Sequence, residues 1–267
     1  MTEPVTDPDD RRLVDYRDLT DIAARRRIEG DEFFVCEGPV ALERLLTSRH
    51  RLRSVLVLDR HAARVTDLLA TSGVTAPVYT CDRALLHTIT GFDLHRGVIA
   101  TADRRPAPTP DDERAIIDAA RRIAVLEGLN DPENLGAIAR SAHALGIDAL
   151  ICDPTCIDHY TRRTVRVSMG EVLHLPVIRT TGSEHLARLL DGWTTWALTP
   201  DPAADDIWTL PVPDRLAVIL GAEGPGLDRA TIAGATRAVR IPITPGVDSL
   251  NVGNAAAVAF AIVTRPT

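Results

Sequence analysis

Three loops of the sequence combine glycine or proline with polar side chains of the kind that bind ligands or support catalysis. They fall within the segments 126–151, 217–228 and 241–263. In the last segment, a short apolar stretch leads into a polar loop with Asp248 and Ser249, and an uncharged apolar helix is predicted from Asn251 onward. A loop between a buried strand and an apolar helix must pair its own backbone groups or offer them to a ligand. The pattern therefore favours a ligand site built largely from backbone donors.

The middle loop reads Gly-Ala-Glu-Gly-Pro-Gly from Gly221 and directly follows the apolar strand predicted at 215–220. Glycine permits positive φ and close approach of a backbone. Ligands of open parallel α/β sheets bind beyond the carboxyl ends of the strands, so the loops after Leu198, Leu220 and Ile241 are expected at one edge. Three ordinary strand–helix connections are the alternative. The spacing does not match a dinucleotide-binding fingerprint, and a chain without lysine has no Walker-type phosphate loop.

The elements that must position these loops alternate between strand and helix, which is typical of α/β proteins. In the first part of the chain, residues 1–12 are predicted to be disordered and 16–27 to form a helix. The strands predicted there are 33–36, 52–58, 77–80 and 97–100. Three prolines between 106 and 110 favour an extended linker at 104–112.

The second part of the chain predicts a mainly parallel sheet. Its predicted strands are 123–126, 149–152, 177–179, 195–198, 215–220 and 238–241, and the strand at 215–220 is expected to be central. Asn134 is a plausible N-cap of a helix that reaches Leu145. On that helix Ile138 faces the core, whereas Arg140 points from a different face.

Composition limits the class of protein without identifying it. The 267 residues carry a net charge of −7, and all 30 basic residues are arginine, so bulk charge alone does not hold the protein to nucleic acid. No apolar run reaches the roughly 18 residues needed to span a bilayer, and a polar, acidic amino terminus argues against a signal peptide, so we expect a cytoplasmic protein. Cys152, Cys156 and His159 could be metal ligands, but no second pair of cysteine or histidine ligands accompanies them, and no metal site is expected.

Taken together and in order, the three segments resemble the three motifs of the SpoU family of RNA ribose 2'-O-methyltransferases, in the knotted SPOUT superfamily. The matching features are the spacing from Asn134 to Arg140, the glycine turn at 221–226 and Ser-Leu-Asn at 249–251. The resemblance implies a carboxyl-terminal parallel-sheet α/β domain with a deep trefoil knot, at 113–267. It also implies a small amino-terminal α/β domain at 1–103 that resembles ribosomal RNA-binding proteins.

The same resemblance implies which residues carry the activity. Catalytic roles transfer to Asn134, Arg140, Glu223, Ser249 and Asn251. S-adenosylmethionine would be bound at Thr199, Gly221, Ile241 and Leu250, largely through the backbone. The predicted role of Arg140 is to clamp an RNA phosphate and polarise the hydroxyl, with deprotonation as the alternative. Structural alternatives are a loop-organising role for Glu223 and helix capping for Ser249 and Asn251.

The implied partners are structured RNA, ribosomal RNA before transfer RNA, and a second copy of the chain in a homodimer. Candidate RNA-binding residues are Arg25, Arg26, Arg27 and Arg166, although arginines at 25–27 also suit a helix carboxyl terminus. Three alternatives stay open: a transfer RNA 2'-O-methyltransferase, a relative that methylates a base, and a non-catalytic RNA-binding or ribosome-assembly factor. The Asn134–Arg140 spacing and Ser-Leu-Asn argue against base methylation.

Overall fold

The computed structural model describes residues 2–265, apart from the side chains of Ile22, Ala23 and Arg26. The chain divides into two compact units. The first comprises Met1–Arg105 and Tyr160–His174, and the second comprises Pro106–His159 and Leu175–Thr267. By its contacts, the segment 160–174 thus belongs to the first unit, although it lies within the sequence predicted for the catalytic domain. The division of RNA binding and catalysis between 1–103 and 113–267 stays a prediction.

The first unit is built on a mixed five-stranded sheet. Its strands are β1 (Thr2–Pro4), β2 (Phe33–Glu37), β3 (Leu52–Leu58), β4 (Val78–Cys81) and β5 (Val98–Asp103). Its helices are α1 (Ile22–Glu29), α2 (Pro39–Thr47), α3 (Ala62–Thr71), α4 (Arg83–Thr90) and α7 (Arg162–Val167). The strand order is β1-β4-β3-β5-β2, with β5 antiparallel to both of its neighbours. The central strand β3 is buried along nearly its whole length, as its continuous apolar sequence predicts.

The amino terminus differs from the prediction of disorder. Residues 2–4 pair in parallel with β4, and Arg11–Tyr16 forms a 3-10 turn. Leu13 and Tyr16 from this turn are fully buried on the sheet, and the Tyr16 hydroxyl lies 2.6 Å from Ser54 Oγ. A few buried side chains, Val5, Leu13 and Tyr16, are enough to order the segment, although Val14 between them is exposed. The predicted helix at 16–27 is also wrong at its start, since α1 begins at Ile22.

The second unit contains a parallel seven-stranded sheet. Its strands are β6 (Arg122–Glu127), β7 (Ala149–Cys152), β8 (Val177–Arg179), β9 (Thr194–Leu198), β10 (Asp205–Asp206), β11 (Leu216–Gly221) and β12 (Arg237–Arg240). Its helices are α5 (Pro110–Ala119), α6 (Pro132–Ala144), α8 (Ser183–Leu189), α9 (Arg229–Gly234) and α10 (Val252–Val263). The order is β10-β12-β9-β11-β6-β7-β8, so β11 lies near the centre, as predicted.

Helices cover both faces of this sheet. Side chains of α5, α8 and α9 pack with one face in a core that includes Ile123, Val125 and Ile219. The apolar helix α10 packs against α6 and β11, and most of its circumference is buried. α5 begins at Pro110 with a capping box between Thr109 and Asp112, so the predicted linker at 104–112 ends earlier than expected. No helix in the described part of the chain is long and apolar enough to cross a membrane.

Candidate functional site

The loops that carry the three sequence motifs begin at one edge of the parallel sheet. Strands β12, β9, β11 and β6 are consecutive neighbours and run in the same direction. Their carboxyl ends are therefore side by side, which brings Thr199, Gly221 and Ile241 to a common edge. The predicted meeting of the loops after Leu198, Leu220 and Ile241 is confirmed.

Asn251 joins the three motifs through its side-chain amide. Its Nδ2 donates to Asn134 Oδ1 over 2.9 Å and also to Glu223 Oε1. Its Oδ1 accepts from the backbone N–H groups of Gly253 and Asn254, which makes Asn251 the N-cap of α10. The amide therefore has its donors and its acceptor engaged within the protein. The predicted capping role of Asn251 is confirmed, and capping does not exclude the contacts with the other motifs.

Asn134 does not cap α6, contrary to the prediction. Asp131 is the N-cap, and its side chain accepts from Glu133 N over 2.9 Å, with Pro132 in the first helical position. Proline fixes the start of the helix two residues earlier than expected and leaves Asn134 in the first turn, only 5% exposed. The Asn134 side chain therefore bonds with Asn251 at the start of α10 and not with the backbone of its own helix.

The loop 221–228 is folded tightly on itself. A Cβ atom at Gly221 would lie 2.4 Å from Gly226 C and from Leu227 N, closer than packed atoms approach. Gly226 N donates to Ala222 O over 3.1 Å, and Gly226 has a φ of +71°. Glycine is required at 221 by this contact and favoured at 226 by its φ. The compact turn presents Glu223 at its exposed tip.

The loop 241–250 offers backbone donors to its surroundings. Among the described residues of this loop, Val247 alone has an N–H bonded to an acceptor in the protein, Thr244 O at 3.2 Å. The side chains of Val247 and Leu250 are 52% and 39% exposed. Ser249 is exposed as well and does not cap α10. Unpaired donors beside exposed apolar side chains are what a ligand with polar and apolar parts requires.

Arg140 is placed apart from the Asn251 contacts. It lies six residues after Asn134 on α6, which separates the two side chains by about 120° around the helix axis. Arg140 is exposed, and no described residue forms an ion pair or hydrogen bond with it. The structure thus brings Asn134, Glu223 and Asn251 into contact but leaves the guanidinium of Arg140 available to an outside partner. The catalytic roles of these residues stay predictions.

The predicted RNA-binding arginines have different environments. Arg25 is only 8% exposed, and its Nε donates to Glu29 Oε1 over 2.5 Å. This environment argues against a phosphate contact, and the RNA-binding role of Arg25 stays a prediction. The side chain of Arg26 lies outside the described part of the chain, and Arg27 is exposed. Arg166 is partly exposed and pairs with Glu37 over 3.3 Å, which competes with phosphate for its charge.

Two carboxylates that sequence reasoning missed support the site from strand ends. Glu127 ends β6 and accepts from Asp228 N, at the end of the loop that follows β11, and from Thr231 Oγ1 in α9. Asp153, directly after β7, accepts from Gly128 N over 3.0 Å and so holds the loop that precedes α6. Burial disfavours the charged form of Asp153, but hydrogen bonds from Cys156 and Thr155 outweigh it and lower its pKa. Both residues could have been found from the sequence, because each is an acidic residue at the carboxyl end of a buried strand.

Cys152 and Cys156 serve packing in this structure. Cys156 Sγ donates to Leu126 O over 3.2 Å, and hydrogen bonding with Cys156 together with burial raises the pKa of the Cys152 thiol. A raised pKa disfavours the thiolate that binds metals. No group of three or more His, Cys, Asp or Glu residues suited to a metal ion occurs within the described residues.

A cleft of about 560 Å³ lies elsewhere in the second unit and is lined by Glu113, His185, Trp193 and Arg215. Trp193 and Arg215 precede β9 and β11, so the cleft is at the amino edge of the sheet. None of the residues predicted to act in catalysis or cofactor binding lines it. Parallel sheets bind ligands at the opposite, carboxyl edge, where the motif loops are.

Comparison with known proteins gives a consistent result. The profile of a family described as the SpoU rRNA Methylase family matches residues 121–261. An uncharacterized tRNA/rRNA methyltransferase of Mycobacterium tuberculosis is 40% identical over 264 residues, which cover 97% of this chain and 90% of that protein. The 23S rRNA (guanosine-2'-O-)-methyltransferase RlmB of Ralstonia nicotianae is 31% identical over 217 residues, covering 79% of this chain and 87% of the relative.

Among solved structures, an AdoMet-bound rRNA methyltransferase from Sinorhizobium meliloti is similar to this chain. The TM-score is 0.78 at 24% identity, with 98% of this chain and 97% of the other covered. At this level of identity the similarity establishes the fold.

Proposed function

The chain belongs to the SpoU rRNA methylase family, and on that premise we propose that it transfers a methyl group to a ribose 2'-hydroxyl of ribosomal RNA. The protein is an S-adenosylmethionine-dependent RNA methyltransferase. The observation that carries the proposal is the contact of Asn251 with Asn134 and Glu223, which unites all three motifs at the ligand-binding edge of the sheet. A non-catalytic RNA-binding factor would not need these three polar side chains to meet.

The residues at this edge fit the cofactor. The unpaired backbone donors of 241–250 and the exposed Leu250 side chain suit the polar and apolar parts of S-adenosylmethionine, with Thr199 and Gly221 beside them. Bound there, the cofactor supplies a methyl group on a positively charged sulfur. The family similarity and this arrangement support cofactor contacts at Thr199, Gly221, Ile241 and Leu250.

The protein's own contribution is to orient and activate the hydroxyl. Methyl transfer forms a bond from the ribose oxygen to the methyl carbon, breaks the bond from that carbon to sulfur, and releases the hydroxyl proton. Because the Asn251 amide is engaged within the protein, its role is to hold Glu223 and Asn134 in place. Glu223 supplies a carboxylate that can accept the proton, and the free guanidinium of Arg140 can clamp a phosphate and polarise the hydroxyl.

The path of the chain around this edge supports a trefoil knot. From β12 the chain must return past β9 to reach α10, which packs on α6 and β11 nearer the centre of the sheet. We propose that on this return the final helix α10 threads behind the preceding loop, as the resemblance to SPOUT proteins implies. Ser249 lies in the same loop and is proposed to face the substrate.

RNA affinity is proposed to come from the first unit, and a homodimer is proposed to form through the second. The proposal of a homodimer rests on the resemblance to the family, and Val247 on the second unit is an exposed apolar side chain that a second copy would cover. Light scattering at micromolar concentration tests the assembly, and a monomer would contradict it. We further propose that the protein works in the cytoplasm, where it meets ribosomal RNA.

A direct test combines calorimetry with analysis of the modified RNA. The protein is titrated with S-adenosylmethionine, then incubated with 23S rRNA and, separately, with tRNA, and nucleosides are analysed by mass spectrometry. The proposal predicts cofactor binding and a 2'-O-methylated nucleoside in the 23S rRNA. Methylation of tRNA alone favours the alternative that the Mycobacterium tuberculosis relative's name leaves open. A methylated base, or absence of cofactor binding, contradicts the proposal.

A further inference from the structure

Glu127 contacts both ends of the loop 221–228. It is the last residue of β6, and its backbone lies opposite Gly221, the first residue of the loop, in the parallel pairing of β6 with β11. Its side chain reaches the other end of the loop. Glu127 Oε1 accepts from Asp228 N over 2.7 Å, and Glu127 Oε2 accepts from Thr231 Oγ1 over 2.5 Å.

The loop has two other attachments, the bond from Asn251 to Glu223 and the buried side chain of Leu227. Residues 223–226 are exposed, and the tight turn from Ala222 to Gly226 fixes the shape of the loop but not its position. Asp228, the N-cap of α9, makes no capping hydrogen bond with its own side chain. The Glu127 carboxylate bonds the backbone at that position instead. Hydrogen bonds to a charged acceptor are stronger than neutral ones, so these two bonds hold the end of the loop firmly.

We propose that Glu127 is a positioning residue for methyl transfer. By fixing the end of the loop 221–228, it keeps the backbone at Gly221 at the cofactor edge and keeps Glu223 in reach of Asn251. Glu127 acts through the loop and touches neither cofactor nor RNA. This inference rests on the proposed function. Glu127 is not one of the predicted catalytic residues, but it positions Glu223, which is.

The chemistry of the two bonds distinguishes variants of Glu127. Glutamine keeps one oxygen that can accept from Asp228 N, and its amide can donate to the Thr231 hydroxyl, which also accepts. Glu127→Gln should therefore preserve the attachment. Glu127→Ala removes both bonds, and Thr231→Val removes one of them. Glu184 on α8 is exposed and has no ion pair or hydrogen bond with a described residue, so Glu184→Ala is a matched control for loss of a carboxylate.

The experiment uses the full chain and three measurements: amide hydrogen exchange, calorimetric affinity for S-adenosylmethionine and single-turnover methylation of 23S rRNA. We expect Glu127→Ala to speed exchange within 221–231 and to weaken both cofactor affinity and turnover by roughly tenfold or more, as loss of bonds to a charged group does. Thr231→Val should show a smaller change of the same kind. Glu127→Gln keeps both bonds but not the charge, so its loss should be smaller than that of Glu127→Ala, and Glu184→Ala should stay within about twofold of the original chain.

A merely structural role would lower the unfolding temperature of Glu127→Ala without local change in exchange or cofactor affinity, and that result overturns the proposal. If Glu127→Ala does not fold, Thr231→Val takes its place. Unchanged amide hydrogen exchange within 221–231 in that variant also overturns the proposal. Failure of the original chain to bind cofactor or methylate RNA removes the proposed function. Hydrogen exchange still reports in that case whether Glu127 holds the loop, so the two failures are distinguishable.

Discussion

At the scale of single residues, Arg140 differs from the other predicted catalytic residues. Its guanidinium is exposed and forms no ion pair with a described residue, so it is free to bind a ligand. Asn134 and Glu223 contact Asn251, whereas Arg140 is exposed on another face of α6. A free guanidinium is suited to a phosphate or to charge that develops during methyl transfer. Because Arg140 contacts none of the described residues expected to hold the cofactor, we expect its loss to affect the reaction more than cofactor binding.

Arg140→Ala is therefore expected to reduce methyl transfer and to leave cofactor affinity nearly unchanged. A group that acts mainly in the transition state lowers the catalytic rate without an equal loss of ground-state binding, and we expect about a hundredfold or more. Single-turnover methylation and calorimetry on the same preparation measure the two effects. Arg188→Ala, an exposed arginine on α8, is the control. Near-normal turnover would remove Arg140 from the reaction.

Gly221→Ala should disrupt the site by sterics alone. The added Cβ would lie 2.4 Å from the Gly226 carbonyl carbon, and backbone cannot yield as a flexible side chain can. We expect loss of cofactor binding and a free energy of unfolding lower by about 1–3 kcal/mol, the usual cost of overpacking. Gly234→Ala is the control, because no packed atom lies within 4 Å of the position that its added methyl group would take. Equal affinity in the two variants would refute the steric argument.

At the scale of secondary-structure elements, the exposed arginines of the first unit suggest where RNA binds. His61, Arg64 and Arg96 line one small cleft between α2 and α3, and Arg60 Nε donates to His61 Nε2 over 3.1 Å. We call these four residues the Arg60 cluster. Neither Arg60 nor Arg96 forms an ion pair with a described residue, whereas Arg64 lies 3.5 Å from Glu43 Oε1. Uncompensated positive charge favours the phosphate backbone.

Replacing Arg60, Arg64 and Arg96 together by alanine should weaken binding to 23S rRNA and flatten its salt dependence. Each lost phosphate contact reduces the slope of log K against log salt by roughly 0.7–0.9, so the loss of three contacts should change it by about 2 to 3. Filter binding at several salt concentrations measures the slope. Arg83→Ala is the control, because Arg83 is already paired with Asp93 at 2.7 Å. An unchanged slope in the triple variant would place RNA binding elsewhere.

At the scale of the whole molecule, the segment 160–174 changes how the chain can be divided. Tyr160 stacks on Phe34 with ring centroids 4.9 Å apart, Arg162 pairs with Glu37, and Arg44 Nε lies 2.6 Å from Glu171 Oε1. Ser168 is fully buried. These contacts lie within the first unit, so residues 1–105 lack part of their own structure when they are made alone.

We expect residues 1–105 to unfold at a lower temperature alone than with a synthetic peptide of residues 160–174. A peptide that binds the folded state raises its stability in proportion to RT ln(1 + [peptide]/Kd), by about 2.7 kcal/mol at a hundredfold excess over Kd. Thermal unfolding with increasing peptide concentration measures the effect, and a scrambled peptide is the control. If unfolding is independent of the peptide, the first unit is complete without it.

The fold class, most strand positions and the three motif loops could be predicted from the sequence alone. Buried strands such as β3 and β11 could be predicted because short continuous apolar runs bounded by turn residues are typical of buried strands. The glycine at 221 and the cap at Asn251 were readable because each meets a local requirement of the backbone. Local patterns of this kind act over a few residues and therefore leave a signal in the sequence.

Features that depend on residues far apart in the chain were set by tertiary packing. Asn134 became a contact of Asn251 rather than a cap, because Asp131 and Pro132 set the helix start and α10 packs beside it. Arg25 pairs with Glu29 on its own helix, but its guanidinium also lies over the Phe33 ring of β2, a contact that the arginine run does not reveal. Glu127 and Asp228 meet across 101 positions, and no periodicity records such a pair. Contacts between helix starts, strands and loops that are distant in the chain arise only from tertiary packing, so no local pattern of the sequence records them.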